Sequence, residues 1–164
     1  MDEPRWLTDE EQKAWRQLAM LMTLLPPALD SQLQRDSGVT HFGYWVMAML
    51  SERPDRSLRM SDLAARASAS PSRVSHVVAR LEKNGWVRRA RSDRDGRSNL
   101  AELTDAGYRK VVEAAPGHVE RVRDLVLDAL TGPQVQQLGE ICGAMLRRID
   151  PDGYKGTRPL PLTD

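Results

Sequence analysis

LRMSDLAARASASPSRVSHVVARLEKNGWVRRARSDRDGRSNLAELT, residues 58–104, reads in succession as helix, tight turn, helix and basic β-hairpin. Ser61 is placed to cap the first helix, with Asp62 in its first turn and Leu63, Ala64 and Ala67 on its inner face. Ser68-Ala69-Ser70 forms the turn. Ser70 then caps a second helix whose first position is Pro71, where a missing amide costs nothing because first-turn donors have no partner inside a helix. Val74, Val77, Val78 and Leu81 give that helix one apolar stripe, and Asn84-Gly85 stops it. Trp86–Arg91 and Ser98–Leu103 are short extended runs around the turn-rich Ser92-Asp93-Arg94-Asp95-Gly96, which together predict an antiparallel hairpin.

Net positive charge is concentrated around the same segment. From Arg53 to Arg97 there are 12 Lys+Arg against 5 Asp+Glu, a net of +7, so in a chain of net +1 the remainder carries −6. The near-neutral total hides a basic patch suited to a polyanion.

Working outward, Thr8 with Glu11 three residues on reads as a capping box, followed by an apolar stripe through Trp15, Leu18, Met22 and Leu25. Pro26-Pro27 should kink or break this helix, which resumes through Leu29 and Leu33 until Gly38. Thr40 caps a second helix through Leu50, and the charged stretch Glu52–Ser57 closes it. Beyond the hairpin, Thr104 caps a long helix with Val111, Val112, Val119, Val122, Leu125, Val126 and Leu130 near one face, disturbed at Pro116-Gly117. A last helix begins at Thr131 and Pro133 and repeats Val135, Leu138, Ile141, Cys142, Met145 and Ile149 until Asp150-Pro151. The expected divisions are residues 1–38, 39–104, 105–150 and a mobile, Pro- and Gly-rich tail over 151–164.

Composition removes several functional classes. A chain of 164 residues, 40% of them hydrophobic, buries one core of ordinary size, in a single domain or two interleaved subdomains. His41, His76, His118 and Cys142 match no zinc, haem or iron–sulfur spacing, so neither metal nor cofactor is expected. Cys142 reads as a buried helical cysteine, and a lone cysteine fits a reducing compartment. MDEPRW lacks the apolar core of a signal peptide, and the longest apolar run, Tyr44–Leu50, is far short of a membrane span. The expected location is the cytoplasm, without a membrane partner. No Gly-rich phosphate loop, nucleophile elbow or paired nucleophile and base is present, so the chain is not expected to be an enzyme.

What remains is recognition chemistry. Opposite its Val/Leu stripe, the helix after Pro71 presents Ser72, Arg73, Ser75, His76 and Arg80. In the major groove Ser can donate or accept, Arg can pair bidentately with guanine, and His can donate to guanine or phosphate. Taken alone, this face would read as the solvated side of an amphipathic helix, as most such faces are. The neighbouring hairpin tips the balance, because Arg88, Arg89 and Arg91 precede its turn and Arg94 and Arg97 flank its tip, where arginine enters the minor groove or grips phosphate. The fold class that follows is mainly α with a small β-hairpin wing (α+β): a winged helix-turn-helix core between N- and C-terminal helices.

From Val39 to Ile149 the chain resembles the MarR family of ligand-responsive winged-helix regulators. The family's wing signature stands here as Asp95-Gly96-Arg97-Ser98-Asn99-Leu100-Ala101-Glu102-Leu103-Thr104. Met60-Ser61-Asp62-Leu63-Ala64, Ser72-Arg73-Val74-Ser75 and Leu81-Glu82-Lys83-Asn84-Gly85-Trp86-Val87 agree with the preceding pattern. Gly96 stands where many relatives have a basic residue, and Pro26-Pro27 is unusual for the family's first helix. The resemblance implies a homodimer held by the first and last two helices, with recognition helices in successive major grooves of a pseudo-palindromic operator on double-stranded DNA. It implies that Arg97 enters the minor groove, oriented by Asp95, and that Ser72, Arg73, Ser75, His76 and Arg80 face the bases.

It also implies a small-molecule effector site between the dimer helices and the reading lobe, for which Trp15, His41, Tyr44 and Trp45 are the candidates, although aromatic residues at helical spacing also serve as core. The expected function is a sequence-specific transcriptional regulator, most often a repressor in this family, released by its effector. The alternative is a winged-helix architectural or protein-interaction module without operator specificity.

Overall fold

A computed structural model describes residues 3–91 and 99–151. Its first helix, α1 (Asp9–Ser37), starts on a complete capping box: the Glu11 amide donates to Thr8 Oγ1 at 3.2 Å and the Thr8 amide donates to Glu11 Oε2 at 2.8 Å. It ends on Gly38 in the left-handed region (φ +66°). The expected break at Pro26-Pro27 does not occur, and the helix runs through both prolines. The carbonyls deprived of donors belong to Met22 and Thr23, which are exposed, so the loss falls where solvent can replace it.

Thr40 Oγ1 accepts from the Gly43 amide to start α2 (His41–Ser51), which is buried along Tyr44, Val46, Met47, Met49 and Leu50. A third strand, not expected from the sequence, begins at the last residue of the closing stretch Glu52–Ser57: β1 (Ser57–Arg59). Its middle residue Leu58 is buried opposite Ala101, which places β1 on the free edge of the hairpin strand. Next comes α3 (Met60–Arg66), two residues earlier than expected: Ser61 lies inside its first turn, and the N-cap, Arg59, makes no side-chain capping bond. Ser68, at φ +49°, carries the turn. Ser70 Oγ then accepts from the Arg73 amide at 3.2 Å and starts α4 (Pro71–Lys83), with Pro71 in the first turn.

The strands β2 (Val87–Arg91) and β3 (Asn99–Leu103) pair antiparallel, giving a three-stranded sheet in the order β1-β3-β2. A single core, containing Leu33, Met47, Leu50, Leu63, Val74 and Val78, joins the end of α1 to α2, α3, α4 and the sheet. Thr104 fastens the base of the hairpin: its amide donates to Trp86 O at 3.0 Å, its Oγ1 donates to Gly85 O at 2.7 Å, and the same Oγ1 accepts the Gly107 amide to cap α5 (Asp105–Val122).

The helix α5 packs along α1 and runs through Pro116; the disturbance expected there falls instead on a π-helical turn over Arg123–Leu127, closed by the Asp128 amide donating to Arg123 O. The last helix, α6 (Gly132–Ile149), has no buried residue, and Cys142, expected in a core, is only half-buried. Among the described residues no helix is long and apolar enough to cross a membrane.

Candidate nucleic-acid interface

One side of α4 is spent on the core through Val74, Val78 and Leu81. At 3.6 residues per turn the opposite side carries Ser72 and His76, with Lys83 further down the same row and Arg73 and Arg80 beside it. All five are exposed. Lys83 was not singled out in the sequence, although its spacing of seven and eleven residues from His76 and Ser72 carries the signal.

The flanking members are held from behind. The Arg73 guanidinium lies 4.2 Å from the centre of the Phe42 ring at the start of α2, a cation–π contact of about 0.5–1 kcal/mol at an exposed site. Ser75, half-buried, is engaged by Arg89 of β2, whose Nη2 donates to Ser75 O at 2.9 Å and to Ser75 Oγ at 3.1 Å. On the other face of β2, Arg88 Nε pairs with Glu102 at 2.6 Å directly across the strand pair. The wing residues Arg94, Asp95 and Arg97 lie outside the described residues.

A second group of expected residues gathers where α1, α2 and α5 meet. The His41 amide donates to Asp30 Oδ1 of α1 at 2.7 Å, and the His41 ring lies 5.7 Å from His118 of α5, which is in turn 4.8 Å from Tyr44. Burial holds the His41 pKa below the usual imidazole range against the opposing charge of Asp30. Burial, and secondarily His41, lowers that of His118. Both rings are therefore set towards the neutral form. Burial, followed by Glu52, raises the Tyr44 phenol.

Behind the rings, Gln32 Oε1 and His118 Nδ1 are buried without a hydrogen-bond partner. His118 and Gln32 were missed because neither stands in a local motif; His118 is brought to His41 only by the packing of α5. The other candidates lie apart. Trp45 points away from the buried face of α2, and Trp15 is roughly 22 Å along α1 from Asp30, at about 1.5 Å per residue.

Both the sequence and the fold have known counterparts. A family model described as "MarR family" matches residues 37–98. The fold is similar to Sco3205 of Streptomyces coelicolor, a MarR family transcriptional regulator solved in complex with DNA, with 48% identity, 98% of each chain covered and a TM-score of 0.86. It is also similar to AbsC of the same organism, at 36% identity over 89% of this chain and 98% of that one, with a TM-score of 0.83. In sequence it is 35% identical over 100 residues to the transcriptional repressor Rv2887 of Mycobacterium tuberculosis, covering 61% of this chain and 70% of the relative. Near-complete overlap with Sco3205 and AbsC carries the likeness beyond the reading lobe to the helices on either side of it, and the chain belongs to the MarR family of transcriptional regulators.

Proposed function

We propose that the protein is a homodimeric, sequence-specific DNA-binding repressor whose affinity is lowered by a small-molecule effector. The observation that carries the reading is the outward face of α4, where Ser72, Arg73, His76, Arg80 and Lys83 stand exposed on a helix fixed by Val74, Val78 and Leu81. A helix so presented can enter a major groove of about 12 Å. Arg73 and Arg80 supply bidentate donors and Ser72 and His76 supply shorter ones; the family pattern assigns Arg97, oriented by Asp95, to the adjacent minor groove, and the hairpin sequence offers Arg94 for the same groove or for phosphate. That the similar regulator Sco3205 binds DNA supports the DNA-binding reading.

Dimerisation is supported by what one chain leaves uncovered: Trp15, Met20 and Leu24 on α1, Val112 and Val119 on α5, and Ile141 and Ile149 on α6. A second copy is the partner that would also place two reading helices one DNA turn apart. For the effector, the junction of His41, Tyr44 and His118 is the favoured place, since it adjoins the dimer helices and its next residue, Phe42, holds Arg73 of the reader.

Selection of bound sequences from a random duplex library tests the reading. The expected result is a pseudo-palindrome with half-sites about 10 bp apart, centre to centre. Affinity should fall steeply with salt as phosphate counterions are released. Recovery of no enriched sequence would favour the architectural module instead.

A further inference from the structure

We infer that Arg89 is a positioning residue for DNA recognition: it holds the wing strand to the reading helix and is not itself a phosphate contact. The inference deepens the DNA-binding reading and rests on it. In the sequence, Arg88, Arg89 and Arg91 look alike, three basic residues before the wing. The strand separates them, since successive side chains point to opposite faces. Arg88 faces Glu102 across the sheet, whereas Arg89 turns back onto α4.

There it spans two turns of the helix. Glu82 uses both oxygens on this one residue, Oε1 accepting the Arg89 amide at 3.0 Å and Oε2 facing Nε at 3.2 Å. The Nη2 group reaches Ser75 O and Ser75 Oγ, seven residues earlier and on the same side of α4. Backbone and guanidinium together fix β2 against α4 over a rise of about 10 Å. Apolar packing between strand and helix tolerates sliding; this set of directional bonds does not. The angle between the element that reads bases and the strand that leads to the wing is thereby set. The hydroxyl of Ser75 is set as well, since accepting from Arg89 leaves its proton to donate outward.

Charge separates this role from a phosphate contact. A lone carboxylate at position 82, inside a segment of net +7, would repel the DNA backbone. Arg89 is spent on Glu82 and Ser75 and neutralises no phosphate, so its removal should not change the number of counterions released, although the Glu82 carboxylate left behind should lower affinity for any duplex.

The test uses the full-length dimer, the duplex recovered by selection and a random duplex, with affinities measured across a salt series. For Arg89→Ala, preference for the selected duplex should fall at least ten-fold while the slope of log affinity against log salt stays at the wild-type value. Arg89→Lys keeps the charge but cannot span Ser75 and Glu82, and should lose preference to the same extent. Ser75→Ala, which removes one acceptor and leaves the fold intact, should lose part of it. A slope flattened by about 1.8, from one lost phosphate contact in each protomer, would make Arg89 a phosphate ligand and overturn the inference. Full rescue by lysine, or unchanged preference in Arg89→Ala and Ser75→Ala, would overturn it equally. A wild-type protein without preference would instead refute the DNA reading itself, and this inference with it.

Discussion

The helices α4 and α6 carry apolar stripes of the same spacing, and the structure gives them opposite fates. Val74, Val78 and Leu81 of α4 are buried by α2, α3 and the sheet, whereas on α6 Ile141 remains 58% exposed and Ile149 70% exposed. The reading lobe completes itself within one chain; the terminal helices do not. A stripe on a helix therefore says that a surface must be covered, and only topology says whether the same chain can cover it.

The most severe way to break this contrast is to charge the uncovered stripe. Ile141→Glu combined with Ile149→Glu should yield a monomer by light scattering, with operator affinity lowered at least about a hundred-fold because two half-sites are no longer engaged together. A dimer of wild-type affinity from this variant would show that α6 is not the seam. Within the lobe the cost should take another form. Leu63→Ala removes a fully buried side chain and should cost about 2–5 kcal/mol in chemical denaturation at any protein concentration. Ile149→Ala should destabilise in a concentration-dependent manner, because its loss is felt only through association.

A smaller effect is expected where the two regions join. A Cβ on Gly107 would lie 2.0 Å from Trp86 O and 2.7 Å from Leu103 Cδ1, at the base of the wing. The carbonyl is backbone and already accepts from Thr104, so α5 must move instead. Gly107→Ala should destabilise by roughly 1–3 kcal/mol despite the better helix propensity of alanine, and weaken operator binding by tilting the dimer helices against the lobe. A raised melting temperature would sink this account of the joint.

Legibility in the sequence follows the range of the interaction. Thr8 with Glu11, Ser70 with Pro71, and Thr104 act within four residues of themselves, and each caps where its type and spacing place it. Features decided at longer range are missing or misread. Three residues of β1 carry no alternation to detect and form a strand only because β3 offers them an edge. Pro26-Pro27 signals a break that an exposed stretch of helix can tolerate. In the candidate site the face of α4 was legible as a face. The roles within it were not, since the ties from Phe42 to Arg73 and from Arg89 to Ser75 cross 31 and 14 positions.

The mildest test addresses the place where the lobe and the long helices share polar groups. His41 and His118 both have folded pKa values below the ordinary 6.5, so the unfolded chain binds their protons more readily than the folded one. Above that value both states carry neutral rings and stability is indifferent to pH from this source. As pH falls below it, the unfolded state takes up protons first, and stability should decline until the folded rings also titrate. Melting temperature should therefore drop from about pH 7 to about pH 5.5, a window above the range in which most carboxylates titrate. Replacing His118 by Asn removes one of the two groups and its repulsion on the other, and should flatten the decline without abolishing it. An unaltered slope in that variant would place the acid sensitivity elsewhere, and the junction of α1, α2 and α5 would then be held by packing rather than by the neutrality of its two imidazoles.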